Sequence, residues 1–141
     1  MKKYVFLPHT ADTKIQAFGK TLEEAFENAA LALTEVISDP KKIKANIAKK
    51  ISVESEDEKA LLYDFLEQFL ILIDTDGFLM NKVTKLDIKK EKNKLKLSAE
   101  IIGDTGIQKY NPKTGIKAVT YQEMEIQTEK NKCMVQVVLD L

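Results

Sequence analysis

Arginine is absent from this chain, and all 22 of its basic residues are lysine. Lysine presents a point charge, whereas arginine offers the planar fork that grips a phosphate or a guanine edge at two points, so a dedicated nucleic-acid reader is not expected. The 22 acidic residues bring the net charge to zero. Cys133 stands alone, which excludes a disulfide framework and a thiolate zinc site and suits a reducing cytoplasm. Its ordinary role is that of a small buried residue on a strand. No apolar run approaches a membrane span; the longest, over 65–73, is broken by Glu67 and Gln68. The first residues carry no signal-peptide core.

Catalytic machinery is equally sparse. His9 is the one histidine, and there is no serine-centred elbow, glycine-rich phosphate loop or Walker lysine. Lys113-Thr114-Gly115 matches one fragment of a β-lactamase signature whose companions are missing, and it reads as a turn. An enzyme in its own right is not expected.

What is present is a regular alternation of structure signals over 141 residues, a length that suits one domain spanning 1–141 and a core that needs no disulfide or structural metal. Tyr4 to Leu7 reads as a short strand closed by Pro8. Ile15 and Ala17 alternate with Lys14 and Gln16 in a second strand that Gly19 ends. Thr21 and Glu24 form a capping box, after which Leu22, Ala25, Phe26, Ala29, Ala30 and Leu33 keep the helical period over about 22–36. Ser38-Asp39-Pro40 breaks it.

The five lysines within 41–50 read as a solvated face, although a basic loop can also attract RNA or an acidic partner. Ile51 and Val53 mark a third strand. Ser55 with Glu58 is expected to cap the second and longest helix, whose apolar face holds Leu61, Leu62, Phe65, Leu66, Phe69, Leu70 and Ile73. Asp74-Thr75-Asp76-Gly77 has its glycine in the wrong place for a calcium loop, and is taken as a helix terminator with Gly77 left-handed.

The remainder is strand-rich. Leu86 and Ile88 lead through a Glu91-Lys92-Asn93 turn into Leu95, Leu97, Ala99 and Ile101, a hairpin with one buried face. A polar loop over 103–115 is long enough to be functional or mobile. Residues 116–128 read as a long strand carrying Lys117, Tyr121 and Gln122. Cys133, Val135, Val137 and Leu139 then share one face of the last strand, which leaves Asp140 on the other. The order is ββαβα followed by at least four strands: α+β, with two helices packed on a mostly antiparallel sheet.

Against that frame, His9-Thr10-Ala11-Asp12 and Leu139-Asp140-Leu141 place polar groups near both ends of the chain. If the ends meet, Asp12, Asp140 and the α-carboxylate of Leu141 gather three negative groups that a cation or bound protons must compensate. An all-oxygen set suits calcium, magnesium or manganese. An Asp after a short strand is otherwise a turn or cap residue, and a terminal acid is otherwise solvated, so spacing alone leaves both readings open. His9 either orients a ligand carboxylate or shapes the turn.

Five segments, taken in order, closely resemble the archease family: Phe6-Leu7-Pro8-His9-Thr10-Ala11-Asp12, Gly19-Lys20-Thr21-Leu22-Glu23-Glu24-Ala25-Phe26, Asp74-Thr75-Asp76-Gly77-Phe78, Ile116-Lys117-Ala118-Val119-Thr120-Tyr121 and Val138-Leu139-Asp140-Leu141. The resemblance implies a small α+β accessory protein without catalytic residues of its own. Its implied partner is the RtcB-type tRNA-splicing ligase, whose guanylylation and multiple turnover it promotes and whose nucleotide range it broadens, with RNA met only through the ligase. It also implies a divalent cation, usually calcium, held by Asp12, Asp140 and Leu141, the last through its main-chain carboxylate or carbonyl. His9, Asp104, Lys117 and Tyr121 are the residues it suggests behind that set or against the partner.

A chaperone-like modulator of a tRNA methyltransferase is the alternative role, and a stand-alone metal-dependent hydrolase a third. Many relatives carry Gly-Glu and an Arg-His pair in the polar loop, where this chain has Gly103-Asp104 and Lys109-Tyr110. A histidine commonly follows the Thr-Tyr pair, and here the residue is Gln122.

Overall fold

The computed structural model describes residues 2–7 and 12–141. The segment containing His9 lies outside them. In chain order the elements are β1 (Tyr4–Leu7), β2 (Asp12–Gly19), α1 (Leu22–Ile37), β3 (Ile47–Ser55), α2 (Glu58–Asp76), β4 (Leu79–Glu91), β5 (Lys94–Asp104), β6 (Ala118–Glu129) and β7 (Lys132–Asp140), with 3-10 turns at Pro40–Lys42 and Ile107–Tyr110. Among the described residues every pairing is antiparallel, where the sequence predicts a mostly antiparallel sheet. The strands divide into two sheets, ordered β1-β2-β7-β6 and β3-β5-β4.

The two helices pack on both sheets. Helix α1 contacts β2 and β7 on one side and β4 on the other, while α2 contacts β6 as well as β3 and β5. That arrangement explains the composition of α1, in which Ala25, Ala29, Ala30 and Ala32 are fully buried on more than one face and admit close backbone approach. Phe26 of α1 stacks on Phe65 of α2 at 5.9 Å between ring centroids.

The ends of α1 follow the sequence closely. The Thr21 hydroxyl accepts from the Glu24 amide, and the Glu24 carboxylate reaches back to the Lys20 amide. At its far end the Ser38 amide donates to the Thr34 carbonyl before Pro40 prevents continuation.

Helix α2 starts differently from expectation. Its cap is Asp57, whose carboxylate accepts from the Ala60 amide. Ser55 closes β3 instead, and its hydroxyl donates to Asp64 at 2.6 Å. Ser55 is still in the β3–β5 ladder, paired with Leu95, so it cannot also begin a helix. The terminator reading of Asp74–Gly77 holds: Gly77 has φ +62°, and the Gly77 and Phe78 amides close on the Ile73 and Leu72 carbonyls.

Three strands are longer or less regular than their alternation suggests. β3 begins at Ile47. β4 begins at Leu79, with register shifts between Met80 and Lys82 and between Val83 and Lys85. β6 begins at Ala118 and breaks register between Thr120 and Glu125, where Glu123 has φ +52°. The last strand behaves as read: Cys133, Val135, Val137 and Leu139 lie in the core. Burial pushes the Cys133 thiol up in pKa, the direction of an inert packing residue.

Candidate functional site

β2 and β7 are neighbours in the middle of the four-stranded sheet, and this brings the beginning and end of the chain together. The ladder between them runs from Gly19↔Cys133 to Asp12↔Asp140. Asp12 and Asp140 are therefore direct cross-strand partners. Residues opposite each other in an antiparallel pair project from the same face, and alternation sets both acids on the face away from Ile15, Val137 and Leu139. Both aspartates and Leu141 are half-buried.

The strand ends form one rim. Ala118 pairs with Asp140 from the other side, and the Lys117 amide donates to the Asp140 carbonyl at 2.7 Å. A shallow cleft of about 420 Å³ opens at this rim, lined by Asp12, Leu141, Phe6, Glu35, Lys113 and Thr114 among others. The Lys113 amide donates to the Ile37 carbonyl, which ties the cleft wall to the end of α1. Glu35 is engaged by the Tyr4 hydroxyl at 2.7 Å. Burial, followed by this contact with Glu35, pushes the Tyr4 hydroxyl up in pKa.

The predicted site residues thus divide. Asp12, Asp140 and Leu141 meet, and Lys117 joins them through its main chain. Two others are employed elsewhere. Asp104 is buried at the end of β5, where its carboxylate accepts from the Tyr110 hydroxyl at 2.5 Å, from the Lys109 ammonium at 3.0 Å and from the Thr105 amide. The tyrosine and lysine hold the Asp104 pKa down to about 2. Tyr110 in turn accepts from Ser38 through its carbonyl, so Asp104 anchors the start of a loop whose far end, at Lys113 and Thr114, walls the cleft. Lys109, Tyr110 and Asp104 are thus partners of one another.

Tyr121 lies in the irregular part of β6 and stacks on Tyr63 of α2 at 4.5 Å and 6° between ring planes. Burial, then Asp64, raises its pKa. Its neighbour Gln122 donates its amide to the Thr120 hydroxyl.

Glu35 was not singled out by the sequence, because it sits in the last turn of a helix whose periodicity concerns its other side. Lys113 and Thr114 were read only as part of a turn in the polar loop, with no pattern tying them to the strand ends. Among the described residues, no three His, Cys, Asp or Glu side chains converge at any point. The rim carries the carboxylates of Asp12 and Asp140 and the main-chain carbonyl of Leu141, hard oxygen groups of the kind that could hold calcium or magnesium.

The comparisons with known proteins cover the whole fold. The archease protein family matches residues 4–141. Protein archease of Methanosarcina barkeri is 41% identical over 141 residues, covering 99% of this chain and 97% of that one. Protein archease of Thermococcus kodakarensis is 41% identical over 143 residues, with full coverage of both. In three dimensions, the solution structure of Methanobacterium thermoautotrophicum protein 1598 superposes with a TM-score of 0.86 at 35% identity, covering 100% of both chains. The crystal structure of an archease, described as a possible chaperone, from Thermotoga maritima shares the fold with a TM-score of 0.58 at 24% identity, over 96% of this chain and 94% of that one. With a match that starts in β1 and runs to the last residue, and relatives agreeing at two positions in five along their full length, this chain belongs to the archease family.

Proposed function

We propose that this protein is an accessory factor of an RtcB-type tRNA-splicing ligase, and that it promotes ligase guanylylation and multiple turnover and broadens nucleotide use through a divalent cation, calcium above all, held by Asp12, Asp140 and Leu141. The observation that carries the reading is the Asp12↔Asp140 register. Like charges directly opposite on one face of a sheet are unfavourable, and a divalent ion between them converts that repulsion into coordination.

Two carboxylates and the oxygens of one main-chain group do not complete the six to eight ligands that calcium takes, so roughly half the sphere falls to water or to groups of a partner. An ion carried this way supplies positive charge at the contact with the ligase. The chain's own residues position it: Asp12 and Asp140 through the ladder, and Leu141 through the strand that ends beside it. Lys117 fixes the Asp140 main chain.

The test is transfer of labelled guanylate from GTP to the purified ligase, with and without this protein. Wild type stimulates the reaction, whereas folded Asp12→Ala and Asp140→Ala variants do not. Unchanged stimulation by both variants overturns the proposal. The chaperone-like role beside a tRNA methyltransferase draws on the description of the Thermotoga relative as a possible chaperone. Recovery of a methyltransferase without ligase in a pull-down favours it.

A further inference from the structure

β1 is an outer strand, and its hydrogen-bond phase is fixed by one contact: the Phe18 amide donates to the Lys3 carbonyl at 2.9 Å. Lys3, Val5 and Leu7 therefore turn their main-chain groups toward β2, and Tyr4 and Phe6 turn theirs outward. Such an edge is a template for a further strand unless something covers it.

Beside it lies a groove of about 770 Å³. Leu31 and Glu35 of α1 contribute to it, and Pro40, Lys41, Asn81 and Lys82 bound it together with β1. That boundary is held in place by the Asn81 side-chain amide, which donates to the Ile43 carbonyl at 2.7 Å and to the Pro40 carbonyl at 3.3 Å. Phe6, 41% exposed, is one of three large hydrophobic residues left open to solvent among the described residues. Its ring lies edge-on to Tyr4, which is tethered to Glu35.

Charge selects the occupant. Lys2, Lys3, Lys41 and Lys82 line the groove against only two carboxylates, Glu35 and Asp39. Both acids are already engaged, Glu35 by the Tyr4 hydroxyl and Asp39 by the Lys41 amide. We propose that the open edge of β1 and this groove dock an extended, acidic segment of a partner protein, which adds as a fifth strand beside β1 and alternates apolar side chains toward Phe6 and Leu31 with carboxylates toward the lysines. Main-chain pairing supplies affinity in such strand addition, and the alternate side chains supply specificity.

A second copy of this chain pairing β1 with β1 would bring two Lys2-Lys3 runs into one lysine-lined groove. A single-stranded RNA would leave the outward amides and carbonyls of Tyr4 and Phe6 unmatched. The proposal depends neither on the cation nor on the ligase, although Phe6 lines both this groove and the cleft at the strand ends.

The experiment uses the full chain and a display library of random dodecapeptides. The expected winners alternate apolar residues with Asp or Glu and shift the amide resonances of Tyr4, Phe6 and Lys82. They bind at least tenfold more weakly to the double variant Lys41→Glu, Lys82→Glu, which changes two exposed side chains and retains the wild-type circular dichroism. Phe6→Pro deletes an outward N–H and removes binding further, while Phe6→Ala keeps the N–H and retains part of it. No enrichment, or enrichment of basic sequences, overturns the proposal. So does binding that shifts α2 amides instead, tighter binding of a decamer of oligouridylate to the same amides, or a concentration-dependent dimer that excludes the peptides.

Discussion

Asp12 and Asp140 face each other across the β2–β7 ladder, at its last rung. Side chains so placed have Cβ atoms about 4.5–5.5 Å apart, close enough for one ion to bridge both carboxylates. Calcium should accordingly stabilise the wild type relative to chelator by about 2.7 kcal/mol when its concentration is a hundred times the dissociation constant, and so raise its melting temperature. Asp12→Asn and Asp140→Asn should each remove most of that gain. Scanning calorimetry with and without calcium reads it directly, and a gain that survives in both variants places the ion elsewhere.

The loop that walls the same rim is sensitive to acid through Asp104. Its carboxyl has an ordinary pKa of 3.8 and is held at about 2 by the Tyr110 hydroxyl and the Lys109 ammonium. A folded-state pKa below the unfolded one means that the native state binds fewer protons. Its stabilising share is complete above about pH 4 and fades as the pH falls toward about 2. The difference in melting temperature between wild type and Tyr110→Phe should be flat across neutral pH and narrow over that acid window. A difference that widens on acidification contradicts the assignment.

Much of this was legible in the sequence because single local rules decided it. Thr21 with Glu24, Gly77, and the alternation of Leu95, Leu97, Ala99 and Ile101 each have one physical solution, and the structure adopts it. The convergence of Asp12 with Asp140 was legible as a possibility, since each lies at a strand end. Other features depend on contacts that no local pattern encodes. Alternation shows which face of a strand is buried but not which strand lies beside it, so the split into two sheets was hidden. Phe78, Leu79 and Met80 are buried consecutively and the register shifts follow at once, so the first half of β4 lacks a period of two. Asp104 was suggested by the family resemblance alone, and the hydrogen bonds it accepts from Tyr110 and Lys109 are contacts of this kind.

The start of α2 gives the sharpest case of a local rule satisfied by the wrong residue. If Asp57 is the cap, Asp57→Ala should cost about 1 kcal/mol. Ser55→Ala should couple to Asp64→Ala in a double-mutant cycle, by about 0.5 kcal/mol or more, as residues sharing a hydrogen bond do. It should show no coupling to Glu58→Ala. Urea midpoints of the single and double variants measure both, and coupling of Ser55 to Glu58 would restore the capping box.

Gly103 tests how tightly β4 and β5 are held beneath the loop. A Cβ built there lies 2.0 Å from the Leu79 carbonyl oxygen and 2.9 Å from the Met80 Cα, both backbone atoms of the adjacent strand, and 2.9 Å from the ring of buried Phe78. None of these can swing aside as an exposed side chain would, so the strands must separate where the Gly103 carbonyl also accepts from the Asn46 amide. Gly103→Ala should cost on the order of 3 kcal/mol, seen as a lower urea midpoint with an unchanged slope. Gly115→Ala is the control, because nothing lies within 4 Å of its Cβ position, and it should stay within about 0.5 kcal/mol of wild type. Equal costs at the two glycines would show that the β4–β5 contact yields freely, and Asp104 would then lack the rigid strand end from which it anchors the loop.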